Sequence, residues 1–330
     1  MNMLQELPNN LTTHQRLIMR ARCLQQARFF FDTRGYIEID TPLLSKAASI
    51  DEHIDLIEAR MNQERLFLIT SPEYALKRLL AAGAPNCYQL GHVFRSGEIS
   101  SKHSPEFTMA EWYRLDLPQK TDHENFEALI EETLAFITLF VGQRQVQRYS
   151  YWEIFKHFCG LDLGKDREAD LVKLQQWLAA LDPQHPLSQE DPLETYLSYI
   201  LSYHLEPKLD ESILYVIEAF PQEQAALATT YEKEGCRLAH RFEIYLGSLE
   251  LANGYHELTE AQEQRKRLIE AELARQKAGK TALILDEKFI ESLPNLPACS
   301  GVALGFDRLM MIHAGQKEIG SVQSLSWARI

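Results

Sequence analysis

Residues Arg241 to Glu257 read RFEIYLGSLELANGYHE. Gly247-Ser248 has the chemistry of a two-residue turn between two apolar-rich runs. A hairpin folded there sets Tyr245 opposite Glu250 and Glu243 opposite Ala252. Side chains alternate along a strand, so Glu243 and Glu250 fall on one face of the ribbon. Two carboxylates on one face repel unless a cation lies between them, and Mg²⁺ bridging nucleotide phosphates suits that place. Taken alone, the same ribbon also reads as a solvated acidic edge strand.

Toward the C-terminus, Ser300–Gly305 is a glycine-rich strand end leading into a helix over Phe306–Ala314. Small residues let a ligand approach the backbone, and Arg308, one turn beyond, is placed to clamp a polyphosphate. Upstream, Tyr88–Phe94 and Phe107–Tyr113 read as strands joined by the polar loop Arg95–Glu106. Arg95 stands at one lip and Phe107 at the other: a guanidinium fork suits phosphate oxygens and a ring suits a purine face. Ser71-Pro72-Glu73 opens a helix, with Ser71 as cap and Pro72 at the first position, that runs to Ala82 and stops at Gly83.

Further out, helical spacing covers Thr13–Arg34, and short strands are expected at Tyr36–Asp40, Ile54–Ala59 and Arg65–Thr70. Residues 122–222 are mostly helical with proline breaks, and about 122–210 reads as a helical insertion. Strands resume at Ile213–Phe220 and Arg237–Leu251, and a charged helix covers Glu260–Lys277. Short links between neighbouring strands favour an α+β fold, an antiparallel sheet flanked by helices, over a doubly wound sheet. Neither G-x-x-x-x-G-K-[ST] nor G-x-G-x-x-G occurs, so a bound nucleotide is held by other means.

The 330 residues carry 47 acidic and 34 basic side chains, a net charge of -13, which argues against a nucleic-acid partner such as tRNA. No apolar run reaches the roughly 18 residues of a membrane helix, and no signal-peptide pattern opens the chain. The five cysteines are scattered with no C-x-x-C pair, as expected of reduced cytoplasmic thiols without a structural zinc site.

Three segments together resemble the motifs of the class II aminoacyl-tRNA synthetases. Gly35-Tyr36 with Ile39-Asp40-Thr41-Pro42-Leu43 is similar to motif 1, Phe94–Met109 to motif 2, and Gly301–Arg308 to motif 3. Thr70-Ser71-Pro72-Glu73 with Leu76-Lys77-Arg78, His103–Tyr113 (HSPEFTMAEWY) and Glu250–Glu257 (ELANGYHE) resemble the lysine subclass. Motif 1 begins almost at the start of the chain, leaving no room for an anticodon-reading OB-fold. The chain is therefore similar to the truncated lysyl-tRNA synthetase paralogues that attach (R)-β-lysine to a lysine of elongation factor P. Cys299–Gly305 (CSGVALG) fits their tail, with Ala303 where lysyl-tRNA synthetases have glycine.

The resemblance implies a single class II catalytic domain over 1–330, a homodimer, and use of ATP and Mg²⁺. It implies that Arg95 and Arg308 are catalytic, holding the α-phosphate and the γ-phosphate side. Ser96, Gly97, Glu98, Ser104, Phe107, Glu250, Leu251 and Gly305 would complete the ATP site, Phe107 stacking on adenine. Glu243 and Glu250 would hold the metal. Glu257 would take the distal ammonium of lysine or (R)-β-lysine and Glu73 the amino group at the reacting end, with Ser71, Pro72, Tyr113, Asn253 and Ala303 lining the pocket. His103 and His256 are the candidates for a base in acyl transfer, each as readily an ordinary loop histidine. Three places depart from the usual pattern: Gly97 with Glu98 in place of the motif 2 glutamate, Ser104 for asparagine, and Tyr255 for phenylalanine. A stand-alone enzyme charging RNA, a non-catalytic binding protein and a ligase making a small metabolite are the alternatives.

Overall fold

The computed structural model describes residues 11–330. The chain runs through α1 (Thr13–Asp32), β1 (Ile37–Glu38), β2 (Leu44–Ser45), β3 (Glu58–Met61), β4 (Glu64–Leu68), α2 (Glu73–Ala81), β5 (Cys87–Phe94) and β6 (Glu106–Leu115). There follow α3 (Asp122–Val141), β7 (Gln145–Ser150), α4 (Tyr151–Cys159), α5 (Arg167–Leu181), α6 (Leu193–Ile200), β8 (Ile213–Pro221), β9 (Thr230–Lys233), β10 (Cys236–Leu246) and β11 (Leu249–His256). The last elements are α7 (Ala261–Lys277), α8 (Glu287–Ser292), β12 (Cys299–Gly305) and α9 (Phe306–His313). They form two compact units, one taking the chain up to Gln143 and from His256 onward, the other Arg144–Tyr255.

In the first unit, β5, β6 and β12 pair antiparallel and β1 adds to β5 in parallel. Helix α1 starts at a capping box between Thr12 and Gln15, which satisfies two otherwise orphaned backbone donors. Its inner face carries Phe31 onto Tyr88 of β5, ring centroids 4.2 Å apart, and onto Phe136 of α3 at 5.2 Å. Trp112 of β6 is fully buried against the same rings. Helix α3 therefore belongs to this core. The insertion expected over 122–210 is correspondingly narrower at its start. A small antiparallel sheet in the order β2-β4-β3 stands beside α2 in sequence; its β3–β4 turn puts Asn62 and Gln63 at φ +48° and +69°.

In the second unit, β8, β10 and β11 run antiparallel in that order, β7 joins β8 in parallel, and β9 pairs with β10. Helices α4, α5 and α6 bury Tyr151, Phe155, Leu174, Leu178 and Tyr196 with Tyr215 and Phe220 of β8. The 145–150 stretch, read as helical, is a strand. QVQRYS has no helical apolar stripe, and it takes strand geometry because β8 offers it a backbone ladder.

Candidate active site

Most of the residues expected to bind the amino acid come together within the first unit. Helix α2 begins one residue later than expected, with Pro72 at the cap position. Ser71 still works at that end. Its hydroxyl accepts from the Glu73 amide at 3.0 Å and donates to Glu111 on β6 at 2.7 Å. One turn on, Lys77 is fully buried, its Nζ 2.6 Å from Glu73 Oε1 and 2.5 Å from Glu257 Oε2. The Tyr113 hydroxyl donates to Glu111 at 2.9 Å. Glu257 leaves β11 with its amide donating to Cys299 of β12. Register sets Gly301 beside Tyr113 and Ala303 beside Glu111. A Cβ at Gly301 would overlap the Tyr113 ring and the Glu257 carboxylate, so glycine is required by close approach.

These carboxylates are under electrostatic pressure. Burial, then the Glu73 charge, pushes Glu111 up to about 8. Burial also pushes Glu257 up to about 8, against the pull of Lys77. Burial works against the Lys77 charge, but Glu257 and Glu73 outweigh it and hold that ammonium above the ordinary lysine value. The Tyr113 phenol is raised by burial and by the same acids, so it stays a neutral donor. Strongly perturbed acids gathered around one buried cation mark a candidate functional site.

The motif 2 loop and motif 3 also meet within this unit. The Arg95 guanidinium lies 5.3 Å from the Phe107 ring centroid and 3.8 Å from Glu98. Gly97 sits at φ +77°, a left-handed backbone that strains other residues, so the acid of this turn is Glu98, aimed at Arg95. Ser96 pairs by its backbone with Asp55, and Ser104 is buried where the loop returns. Arg308 donates to Nε2 of His103 at 2.6 Å. A guanidinium only donates, so Nδ1 of His103 carries the proton and faces the Ser100 hydroxyl, 2.8 Å away. Burial and then the Arg308 charge lower the His103 pKa, in keeping with a neutral ring. Gly305 lies against the Arg308 side chain, 3.4 Å from its Cδ to an added Cβ.

On the ribbon of the second unit, Tyr245 faces Glu250 as expected, but a bulge between Ile244 and Tyr245 moves Glu243 opposite Asn253 instead of Ala252. The shared face survives, because Tyr245 and Glu243 are two apart on β10. Glu243 accepts from the Tyr245 hydroxyl at 2.6 Å and from Arg241. Leu251 is buried, and the Asn253 side-chain oxygen is buried with no hydrogen-bond partner.

Residues 3–326 match the sequence model of the family described as tRNA synthetases class II (D, K and N). The elongation factor P–(R)-β-lysine ligase of Pasteurella multocida is 36% identical over 319 residues, covering 94% of each chain. The ligase of the same name from Yersinia enterocolitica is 36% identical over 313 residues, 93% of each chain. That from Haemophilus influenzae is 36% identical over 317 residues, 94% of each. The chain belongs to the elongation factor P–(R)-β-lysine ligases, within the class II tRNA synthetases.

In this class II chain, motif reading located Arg95, Phe107, Arg308, Ser71, Glu73, Tyr113 and Glu257, and the fold places all of them in the first unit. It did not place Glu111 or Lys77 in the pocket. Both lay inside quoted motifs, where residue type alone does not say which charged side chain is buried; the one local sign was the apolar setting of Glu111 between Ala110 and Trp112. Of the two histidines, His256 is buried with Nε2 2.8 Å from Asp116, a structural pair, and His103 serves Arg308. Ser71 and Pro72 also line a separate cavity of about 490 Å³ with Thr41, Pro42, Tyr74 and Arg78, which does not include the carboxylates. Among the described residues no helix is long and apolar enough to cross a membrane, and all five cysteines are free.

Proposed function

We propose that this chain activates (R)-β-lysine, or lysine, with ATP and transfers the acyl group to the ε-amine of a lysine on elongation factor P. Half-buried Glu73 with buried Glu111 and Glu257 around one ammonium carries the reading, since three carboxylates against one cation leave room for an amino acid with two ammonium groups. Glu257 takes the distal ammonium and Glu73 the one near the reacting end. Ser71, Pro72, Tyr113, Asn253 and Ala303 shape the rest, and Ala303 in place of glycine narrows the floor beside Glu111.

In the first step a carboxylate oxygen of the amino acid attacks the α-phosphorus of ATP and pyrophosphate leaves. Arg95 neutralises the α-phosphate, Phe107 stacks on the base, and Arg308 meets the γ-phosphate side; Ser96, Gly97, Glu98, Ser104, Leu251 and Gly305 complete the nucleotide site. The donor set of Glu250 and Glu243 suits Mg²⁺, which is commonly held by one or two carboxylates together with substrate phosphates. Glu250 is the more exposed of the two, since Arg241 and Tyr245 already engage Glu243. In the second step the acceptor amine, having lost a proton, attacks the adenylate carbonyl and AMP departs. The reading includes a cytoplasmic homodimer formed through motif 1, where Leu43 and Leu44 are each 40% exposed.

Intact mass spectrometry of elongation factor P, incubated with the protein, Mg-ATP and either isomer of lysine, tests this. A gain of one lysyl unit on one lysine, greater with the β-isomer, is the expected result. No gain, with lysine-dependent pyrophosphate exchange retained, would keep the adenylate chemistry and move the acceptor elsewhere, to tRNA first.

A further inference from the structure

Lys77 is a fully buried ammonium that touches Glu73 at 2.6 Å and Glu257 at 2.5 Å. Those are the two carboxylates that the proposed activity assigns to the two ends of its amino acid. Helical spacing puts Lys77 one turn below Glu73 on the same face of α2, and Glu257 reaches it from the end of β11. We infer that Lys77 is a positioning and specificity residue: its ammonium balances one of the three carboxylates Glu73, Glu111 and Glu257, and so sets the pocket to accept two positive charges. This rests on the proposed lysine activation.

The surroundings leave Lys77 as the cation of the cluster. Glu73 faces it from its own helix, Glu257 from the end of β11, and Glu111 and Tyr113 from β6. Cys299 of β12 and Cys87 of β5 lie behind as raised, neutral thiols, with Asp116 acting on Cys299 from further off. The Phe289 ring centroid is 6.0 Å from Nζ. The Lys77 charge pulls both Glu111 and Glu257 down from where burial would put them. Remove it and the acids hold their protons to still higher pH, so that at about pH 7 a substrate ammonium must displace a proton that is harder to remove than in the parent. A simple helix-core lysine would instead affect folding with no such pH signature.

The test is lysine-dependent pyrophosphate exchange by Lys77→Met, Lys77→Arg and the double variant Lys77→Met/Glu111→Gln, against the parent. Norleucine serves as the substrate lacking the distal ammonium, and the ATP KM and melting temperature are followed alongside. Lys77→Met should raise the lysine KM about tenfold or more at about pH 7, the worth of one pKa unit, and by a smaller factor relative to parent at about pH 8.5. Its preference for lysine over norleucine should shrink about tenfold, with the ATP KM unchanged. Lys77→Arg should keep the parental pH dependence. The double variant restores the charge count and should recover most of the lysine preference. A folded Lys77→Met with parental lysine KM and pH dependence, or a folded double variant no better than the single, would overturn the inference. Should neither variant fold, calorimetry of lysine binding to the parent in two buffers of different ionisation enthalpy decides it: proton release near pH 7 supports the charge-setting role, and none overturns it. A parent with no exchange dependent on either lysine or (R)-β-lysine would instead sink the proposed activity itself.

Discussion

Arg308 sits in the first turn of α9, bonded to His103 and backed by Gly305, with its guanidinium half-exposed. A fixed cation aimed at developing phosphate charge is worth about 10²–10³ in rate. Arg308→Ala should therefore lower lysine-dependent pyrophosphate exchange by about two to three orders of magnitude. The melting temperature should hardly move, since the side chain is not part of the core. Exchange at the parent rate in a folded variant would remove Arg308 from the phosphate site. Residues of this kind were legible because motifs preserve them in order: Arg95, Phe107, Glu73, Glu257 and Arg308 were each named from local text. Glu111 was not, although EFTMAEWY contains it. Nothing in a string says that Ser71 and Tyr113 will close on that one carboxylate.

At the scale of elements, the β10–β11 ribbon shows what pattern reading reaches and where it stops. Turn chemistry located Gly247-Ser248 and the Tyr245–Glu250 pairing. The bulge two residues further on was invisible, because an extra residue in one strand leaves no mark on alternation until the partner is known. Its result is that Glu243 meets Asn253 and is engaged by Arg241 of the same strand. Arg241 also donates to the Gln224 carbonyl at 2.6 Å and lies 4.4 Å from the Phe220 ring centroid. Arg241→Ala leaves Glu243 buried without its cation and should cost about 3 kcal/mol or more. Urea unfolding of the full chain reads this as a lower midpoint. An unfolding free energy unchanged within about 0.5 kcal/mol would show that Arg241 is not what stabilises that acid. Strand β7 was missed for a related reason: an edge strand of mixed polarity takes its shape from the β8 ladder.

Across the whole molecule, the two ends of the described chain are tied through one buried pair. Arg20 of α1 donates to Asp307 of α9 at 2.8 Å across 287 residues of sequence. The other Asp307 oxygen accepts from the Thr108 amide and from Gln323, each at 3.2 Å. Truncating Asp307 to alanine leaves the buried Arg20 guanidinium without its carboxylate, holding only the neutral Thr108 hydroxyl and Val322 carbonyl, and should cost about 3 kcal/mol, a fall in melting temperature on the order of 10 °C. A fall of under about 2 °C would mean that the Thr108 hydroxyl and the Val322 carbonyl suffice to hold Arg20. The sequence by itself determined the fold class and the family, and it supplied most of the side chains proposed to face ATP and the amino acid, because these depend on residue type and local spacing. Tertiary structure alone decided which acids share the pocket, that Lys77 lies between two of them, and that Glu111 and Glu257 hold protons to about 8. Those properties come from burial and from charges brought together by distant segments, and neither exists until α2, β6, β12 and the end of β11 have packed against one another.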